Sequence, residues 1–255
     1  MRILIRTSKW AVWGRRFGAL ALPLAAIPVL LHRAHIIGSD DFVLIEAVAM
    51  ALAALAVLAA LVAFVRLWFT GDQGWWRASV ALVFGALCLV PGAYFASQTL
   101  ARPSFADVTT DFGQPPALVS FVPARFIGPE ERARIEALYP NARSRNYPIE
   151  APQMFEVVEA LFDAEGWDLR ARRAPLSALD GGQLNAVVTT LLGFQQEVAI
   201  RVSGAADGST VAMRSVSLTG HPDFGENGAR IERFLLALDN QVTTLLRNAP
   251  AASAE

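Results

Sequence analysis

The residues best equipped for chemistry cluster late in the chain. In Arg214–Phe234, RSVSLTGHPDFGENGARIERF, an arginine and two serines sit on a segment that reads as a strand. A Gly-His-Pro-Asp turn follows, and a helix then opens with Asp223, Glu226, Asn227 and Arg230. Arg201 joins them through the hairpin signal Asp207-Gly208. A two-residue turn there pairs Ala206 with Ser209 and sets Arg201 directly opposite Arg214; a four-residue loop moves the register but keeps both arginines on one face. Like charges across a strand pair repel, so the two guanidinium groups call for a shared anion. Asp223 and Glu226 are the internal candidates, and a phosphate or carboxylate that fits the arginine fork is the external one. Asn227 lies four residues before Ile231, on the core-facing side of the helix, where its amide must find partners in Arg214, Ser215 or the loop backbone. Three readings of Arg201, Arg214, Ser215, Asp223, Glu226 and Asn227 result. The first is a buried polar network pinning the last helix to the sheet; the others are an anion or headgroup site and a catalytic site.

Catalysis has few groups to draw on. From Arg102 onward there is one histidine, His221, and no cysteine. No Gly-x-Ser-x-Gly elbow and no His-Glu-x-x-His pair occurs, and the sole lysine, Lys9, rules out a Gly-x-x-x-x-Gly-Lys phosphate loop. One histidine with scattered carboxylates does not make a zinc site, and His221 before Pro222 reads as a turn residue. A hydrolase would have to use Asp107, Asp111 or His221. No cofactor or metal is expected. A formal net charge of −1 offers no attraction to nucleic acid.

The elements that position these residues can be read from pattern. Pro129–Leu138 is a short helix. Ala151–Glu165 is a firmer one, with Pro152 in its first turn and Phe155, Val158, Ala160, Leu161 and Phe162 facing the core. Gly166 stops it. Trp167–Arg173 alternates cleanly as a strand, with Trp167, Leu169 and Ala171 on one face. Leu184–Leu192, Glu197–Val202 and Thr210–Leu218 follow as strands. The last helix starts at Asp223, an N-cap completed by Glu226 three residues on, and carries the stripe Ile231, Phe234, Leu235, Leu238, Val242, Leu245. Before all of these runs RPSFADVTTDFGQPPALVSF, whose prolines forbid regular helix. Asp107 and Asp111 bracket two threonines in a way that suits side-chain-to-backbone turns, so this segment reads as an extended arm wrapping the domain. The expected fold is α+β: an antiparallel sheet of at least four strands with a long C-terminal helix on it.

Residues 1–100 are different. Apolar residues make up 54% of the whole chain and charged ones 18%, and the apolar excess sits there. Phe17–Ile37, Phe42–Phe69 and Ala78–Ser97 are each long enough to cross a bilayer. Pro23 and Pro28 are expected to kink the first. Glu46 lies near an interface, within reach of Arg33 or a histidine. Arg2, Arg6, Lys9, Arg15 and Arg16 before the first span, and Arg66 and Arg77 around the second loop, put the N-terminus in the cytoplasm by the positive-inside rule. Residues 101–250 then form a periplasmic domain of an inner-membrane protein. Cys88, the single cysteine, lies within an apolar run and excludes an internal disulfide.

The external part resembles the bacterial and plastid family catalogued as domain of unknown function 1499, over roughly Pro103–Leu238. The resemblance rests on Asp107-Val-Thr-Thr-Asp111, Pro115-Pro116, Gly166-Trp167, Leu192-Gly193-Phe194 and Ile200-Arg201-Val202. It rests above all on Met213–Ser217, Asp223–Asn227 and Arg230-Ile231. The multi-span anchor resembles that of alphaproteobacterial members. Where members often carry an acidic pair after the Gly-Phe, this chain has Gln196 and Glu197. The resemblance implies the fold and the tether, and no reaction. The expected role is a non-enzymatic factor that assembles or stabilises a membrane complex, with membrane lipids and a membrane protein as partners. A lipid or apolar-ligand binder is the first alternative, drawn from Leu184, Ala186, Val188, Leu192 and Phe194 on one sheet face. A hydrolase is the second.

Overall fold

The computed structural model describes residues 6–101, 105–120, 127–219 and 223–248. His221 and the C-terminal tail after Asn248 lie outside the described residues, as do Met1–Ile5. The chain forms two compact units and passes from the first to the second after Ala101.

The first unit is three helices, α1 (Lys9–Arg33), α2 (Ser39–Thr70) and α3 (Trp75–Ala101). Each contains a stretch long and apolar enough to cross a membrane. Helix α1 starts well before Phe17, because the charged segment KWAVWGRRF hides a helical stripe: Ala11, Gly14, Gly18 and Ala21 recur on one buried face. The helix is continuous through Pro23 and Pro28. Small side chains make the packing. Ala49, Ala53, Ala56, Ala60 and Ala63 are buried on α2, and Ala78 and Ala81 on α3. A Cβ added at Gly85 would lie 2.7 Å from Val57 Cγ2 and 2.8 Å from the Ala53 carbonyl oxygen. Among lipid tails the hydrophobic effect does not drive helices together, so close van der Waals approach has to.

The second unit is an antiparallel sheet of six strands with helices on one face. The strands are β1 (Asp107–Thr109), β2 (Arg145–Tyr147), β3 (Asp168–Arg173), β4 (Gly181–Thr189), β5 (Gln195–Ala205) and β6 (Gly208–Ser217); the helices are α4 (Pro129–Leu138), α5 (Ala151–Ala164) and α6 (Glu226–Asn248). The order is β1-β6-β5-β4-β3, and β2 also pairs with β6. Strands β1 and β2 share the outer edge of β6, at Arg214–Val216 and Ser209–Val211 respectively.

Because side chains alternate along a strand, the ladders fix two faces. Leu184, Ala186, Val198, Ile200, Val202, Val211 and Met213 share one, all buried. Against them lie Met154, Phe155, Val158 and Phe162 of α5, and Ile231, Phe234, Leu235 and Leu238 of α6. Trp167 joins the layer, stacked on Phe234 with centroids 5.6 Å apart. The opposite face holds Gln183, Asn185, Glu197, Arg201 and Arg214 and is covered by the arm.

Five local expectations are corrected. The β5–β6 turn is Ala206-Asp207, so Arg201 pairs with Ala212 and Arg214 with Ala199. Gly208 is needed elsewhere: at φ 141°, a Cβ there would lie 2.0 Å from the Tyr147 carbonyl oxygen of β2. Strand β3 does not alternate cleanly, because a register shift between Leu169 and Ala171 leaves Arg170 as the extra residue. Helix α6 begins at Glu226, after Phe224 and Gly225 in left-handed conformations at φ 53° and 78°. Helix α5 buries Met154 and exposes Ala160, and Leu245 is 39% exposed. The threonine-bracketed arm forms as expected, with Gly113 and Gln114 N–H donating to Asp111 Oδ1 at 3.0 and 2.9 Å.

Gly228 supplies a test of this packing. A Cβ there would meet the Tyr139 ring at 2.4–2.5 Å, and that ring is buried with its hydroxyl donating to the Gly225 carbonyl at 3.2 Å. Gly228→Ala should destabilise the domain by about 1–3 kcal/mol through overpacking, although Ala is intrinsically the better helix former. Thermal unfolding of the full chain in detergent, followed by near-ultraviolet circular dichroism, checks this. A higher melting temperature would overturn it.

Candidate functional site

Five of the six residues singled out above divide between the two faces of the sheet. Arg214 and Ser215 are neighbours on β6 and so point oppositely. Arg201 and Arg214 lie on the arm-covered face. Ser215, Asn227 and Asp223 lie on the side where α6 packs.

On the arm side each arginine has its own aspartate. Arg214 Nε and Nη2 donate to Asp107 Oδ1 and Oδ2 at 3.0 and 2.6 Å, and Nη1 donates to the Pro116 carbonyl at 3.3 Å. This is a forked pair, with side chains 18% and 6% exposed. Arg201 Nη2 donates to Asp111 Oδ2 at 2.8 Å. The expectation of one shared anion supplied by Asp223 or Glu226 is therefore corrected. The arm brings in Asp107 and Asp111, which lie in the wrapping segment. The hydrogen bonds Thr110 N–H to Met213 O (2.9 Å) and Ser217 N–H to Ala106 O (2.8 Å) hold that arm along β6. A cavity of about 610 Å³ beside it is lined by Thr110, Asp111, Arg132, Arg143 and Ser144 among others.

The deepest polar group on this face is one whose mark in the sequence is a departure from the family pattern. Glu197 is fully buried. Its Oε1 accepts from Val119 N–H at 2.7 Å and from Asn185 Nδ2 at 2.8 Å, and its Oε2 accepts from Ser120 N–H at 2.8 Å. Asn185 Nδ2 and Gln183 Nε2 both donate to the Ala117 carbonyl at 2.8 Å. A buried carboxylate is stable only when its oxygens are satisfied, and here the arm backbone supplies the donors. The signal was available: a glutamate inside an apolar strand, on the face where alternation also puts Asn185 and Gln183.

On the helix side, Asp223 caps α6. Its Oδ1 accepts from Gly225 N–H at 3.1 Å and its Oδ2 from Asn227 N–H at 3.0 Å. Asn227, fully buried, accepts from Ser215 Oγ at 2.8 Å. Its amide donates to the Phe105 carbonyl at 3.0 Å and to Ser217 Oγ at 3.1 Å. Arg230 Nη1 donates to Ser215 Oγ at 3.0 Å. Burial pulls the Arg230 guanidinium down to about 10, against the pull of Glu226 in the other direction, so it is charged at neutral pH. Glu226 itself faces outward, 3.7 Å from Arg233. The helix-side groups thus form one network joining α6, β6 and the start of the arm. Among the described residues no group of three or more His, Cys, Asp or Glu side chains is arranged to hold a metal.

Two substitutions test this division. Glu197→Gln places an amide hydrogen against backbone donors, and should lower domain stability by about 2–3 kcal/mol and speed proteolytic cleavage between Pro115 and Ser120. Unchanged cleavage would mean the arm is held elsewhere. Arg230→Met should be neutral or stabilising by up to about 4 kcal/mol. The sign follows from the lowered value: burial disfavours the charged form at every pH below about 10, and that penalty is relieved only as pH rises above 10. Thermal melts at neutral pH decide it, and a drop of several degrees would show that the Ser215 bond outweighs desolvation.

No curated protein and no solved structure matches the chain. The profile described as "Protein of unknown function (DUF1499)" matches residues 107–238, more than half of the 255 residues. The match runs from the first residue of β1 to Leu238 of α6, taking in the Asp107 and Asp111 ion pairs, Glu197 and the Asn227 network. On that evidence the chain belongs to the DUF1499 family.

Proposed function

We propose that this chain is a non-enzymatic interaction protein of the bacterial inner membrane, whose C-terminal domain binds a membrane-protein partner in the periplasm and helps to assemble or stabilise it. The three helices and the basic residues around α1 and the α2–α3 loop support the tether and its orientation. The observation that carries the binding role is the free edge of the sheet. Strands β1 and β2 cover β6, and among the described residues no strand pairs with the outer edge of β3, which leaves its outward backbone groups available to an added strand. Leu169 on β3 and Leu176 and Leu179 in the β3–β4 loop are 44%, 93% and 72% exposed.

The loop that carries two of these leucines is firmly held. Leu176 N–H donates to Asp180 Oδ2 at 2.9 Å, and this backbone bond helps to hold the Asp180 carboxyl below the usual aspartate range. Gly204 N–H donates to the Asp180 carbonyl at 3.1 Å. A Cβ on Gly204 would lie 2.0 Å from the Ala178 carbonyl oxygen, so the loop rests directly on β5 backbone. Large apolar groups on a preorganised loop bind without an added ordering penalty. The alternatives draw less support. The layer between sheet and helices is occupied by Phe155, Phe162, Ile200, Met213 and Phe234, where an apolar ligand would have to enter. Asp107 and Asp111, the carboxylates a hydrolase would use, are paired with arginines.

A photo-crosslinking amino acid at Leu176 or Leu179 in cells should give a discrete protein adduct, and one at Leu236, 62% exposed on α6, should not. Leu176→Asp with Leu179→Asp should abolish the adduct formed from a probe at Leu169 while the domain stays folded. The same adducts from all positions, or none from the β3 edge, would sink the reading.

A further inference from the structure

The charged end of the helical unit contains a built cavity. The chain before α1 folds across the α2–α3 connection: Thr7 bridges Gln73, Ser8 N–H donates to the Gln73 carbonyl at 3.0 Å, and Gln73 N–H donates to the Arg6 carbonyl at 3.0 Å. This pairing brings the N-terminal segment against the end of α2 and leaves a cavity of about 850 Å³. Arg6, Lys9 and Arg66 line it, with Asp72 as the one carboxylate, together with Trp10, Trp13 and Phe17. Among the described residues no salt bridge pairs Arg6, Lys9 or Arg66. The aromatic residues recur at helical spacing on α1. Trp10 and Trp13 are 45% and 51% exposed, and the Trp13 and Phe17 centroids are 5.7 Å apart.

We propose that this cavity is a binding site for the headgroup of an anionic phospholipid. Three cations against one carboxylate suit a phosphodiester, and the arginine forks match phosphate oxygens. The cavity lies at the polar end of helices long enough to cross a membrane, which is the depth of phospholipid headgroups. The tryptophan and phenylalanine rings continue down α1 from the charged rim, where the glycerol and first acyl methylenes would run. Backbone hydrogen bonds to Gln73 hold the Arg6–Ser8 segment beside the end of α2, which positions Arg6 on the cavity rim. The volume falls in the ordinary range for ligand pockets. The proposal does not depend on which leaflet the end faces.

The test uses the full chain in nanodiscs of phosphatidylcholine doped with phosphatidylglycerol, extracted into mild detergent and read by native mass spectrometry. Wild type should retain phosphatidylglycerol in preference to phosphatidylcholine. Arg6→Gln with Arg66→Gln should lower that retention roughly thirtyfold, whereas Arg15→Gln with Arg77→Gln, which removes the same charge outside the cavity, should leave it nearly unchanged. Equal loss in both double variants would reduce the effect to general surface charge and overturn the proposal. Should the Arg6/Arg66 variant fail to fold, wild type alone decides. No preference for phosphatidylglycerol, or its complete displacement by inorganic phosphate, would overturn lipid recognition, the latter leaving a free-phosphate site.

Discussion

A carboxylate with no solvent contact, Glu197, constrains one whole side of the C-terminal domain. Burying an unsatisfied charge is far more unfavourable than any single packing contact is favourable. The donors must come from the protein, and the sheet's own ladder cannot supply them because its N–H groups are already paired. The arm supplies them from Val119 and Ser120, with Asn185 completing the shell. Once the arm is drawn across this face, Asp107 and Asp111 reach Arg214 and Arg201, and β1 adds to the edge of β6. The irregular segment before α4 therefore forms the third layer of an otherwise two-layer domain.

The other face follows a different rule. Aromatic and aliphatic side chains fill the space between sheet and helices, and the polar groups collect at the start of α6. There Asn227, Ser215, Ser217 and Asp223 satisfy one another and the helix N-terminus. Because Arg214 and Ser215 are adjacent on a strand, one short motif serves both faces: the arginine holds the arm and the serine holds the helix. Arg230 is the exception in this network. It keeps its charge in a buried position with a hydroxyl as its hydrogen-bond acceptor, so the desolvation of the guanidinium works against the gain from that bond.

The helical unit illustrates how solvent changes the packing rule. In the C-terminal domain, large side chains are buried because water is expelled. In α1, α2 and α3 most of the buried positions are alanine and glycine, with Phe42 and Leu67 as exceptions, and many of the leucines, valines and tryptophans point outward. That inversion is what a lipid surround requires, since the outward groups meet acyl chains and the inward ones must allow backbones to approach.

Much of this architecture follows from local pattern. Hydropathy alone marks the three spans, helical periodicity marks α4 and α5, and strand alternation marks β4, β5 and β6 to within a few residues, because each of these signals is carried by neighbours in the chain. Alternation separates Arg201 and Arg214 from Ser215, since consecutive strand residues face opposite ways, but Arg214 and Ser215 read equally well as partners of Asn227 until the fold is seen. What only the tertiary structure decided are the partners. Gly208 reads as a turn glycine until β2 is seen against it; the turn is Ala206-Asp207, and the β5–β6 register differs by two residues from the one the Asp-Gly signal predicts. Asp107 and Asp111 lie about a hundred residues from the arginines they neutralise, and Glu197 is likewise remote from Val119 and Ser120. Charge complementarity across such separations leaves no periodic trace in the chain. It becomes visible only when folding brings the segments together and removes the water that would otherwise have satisfied each group alone.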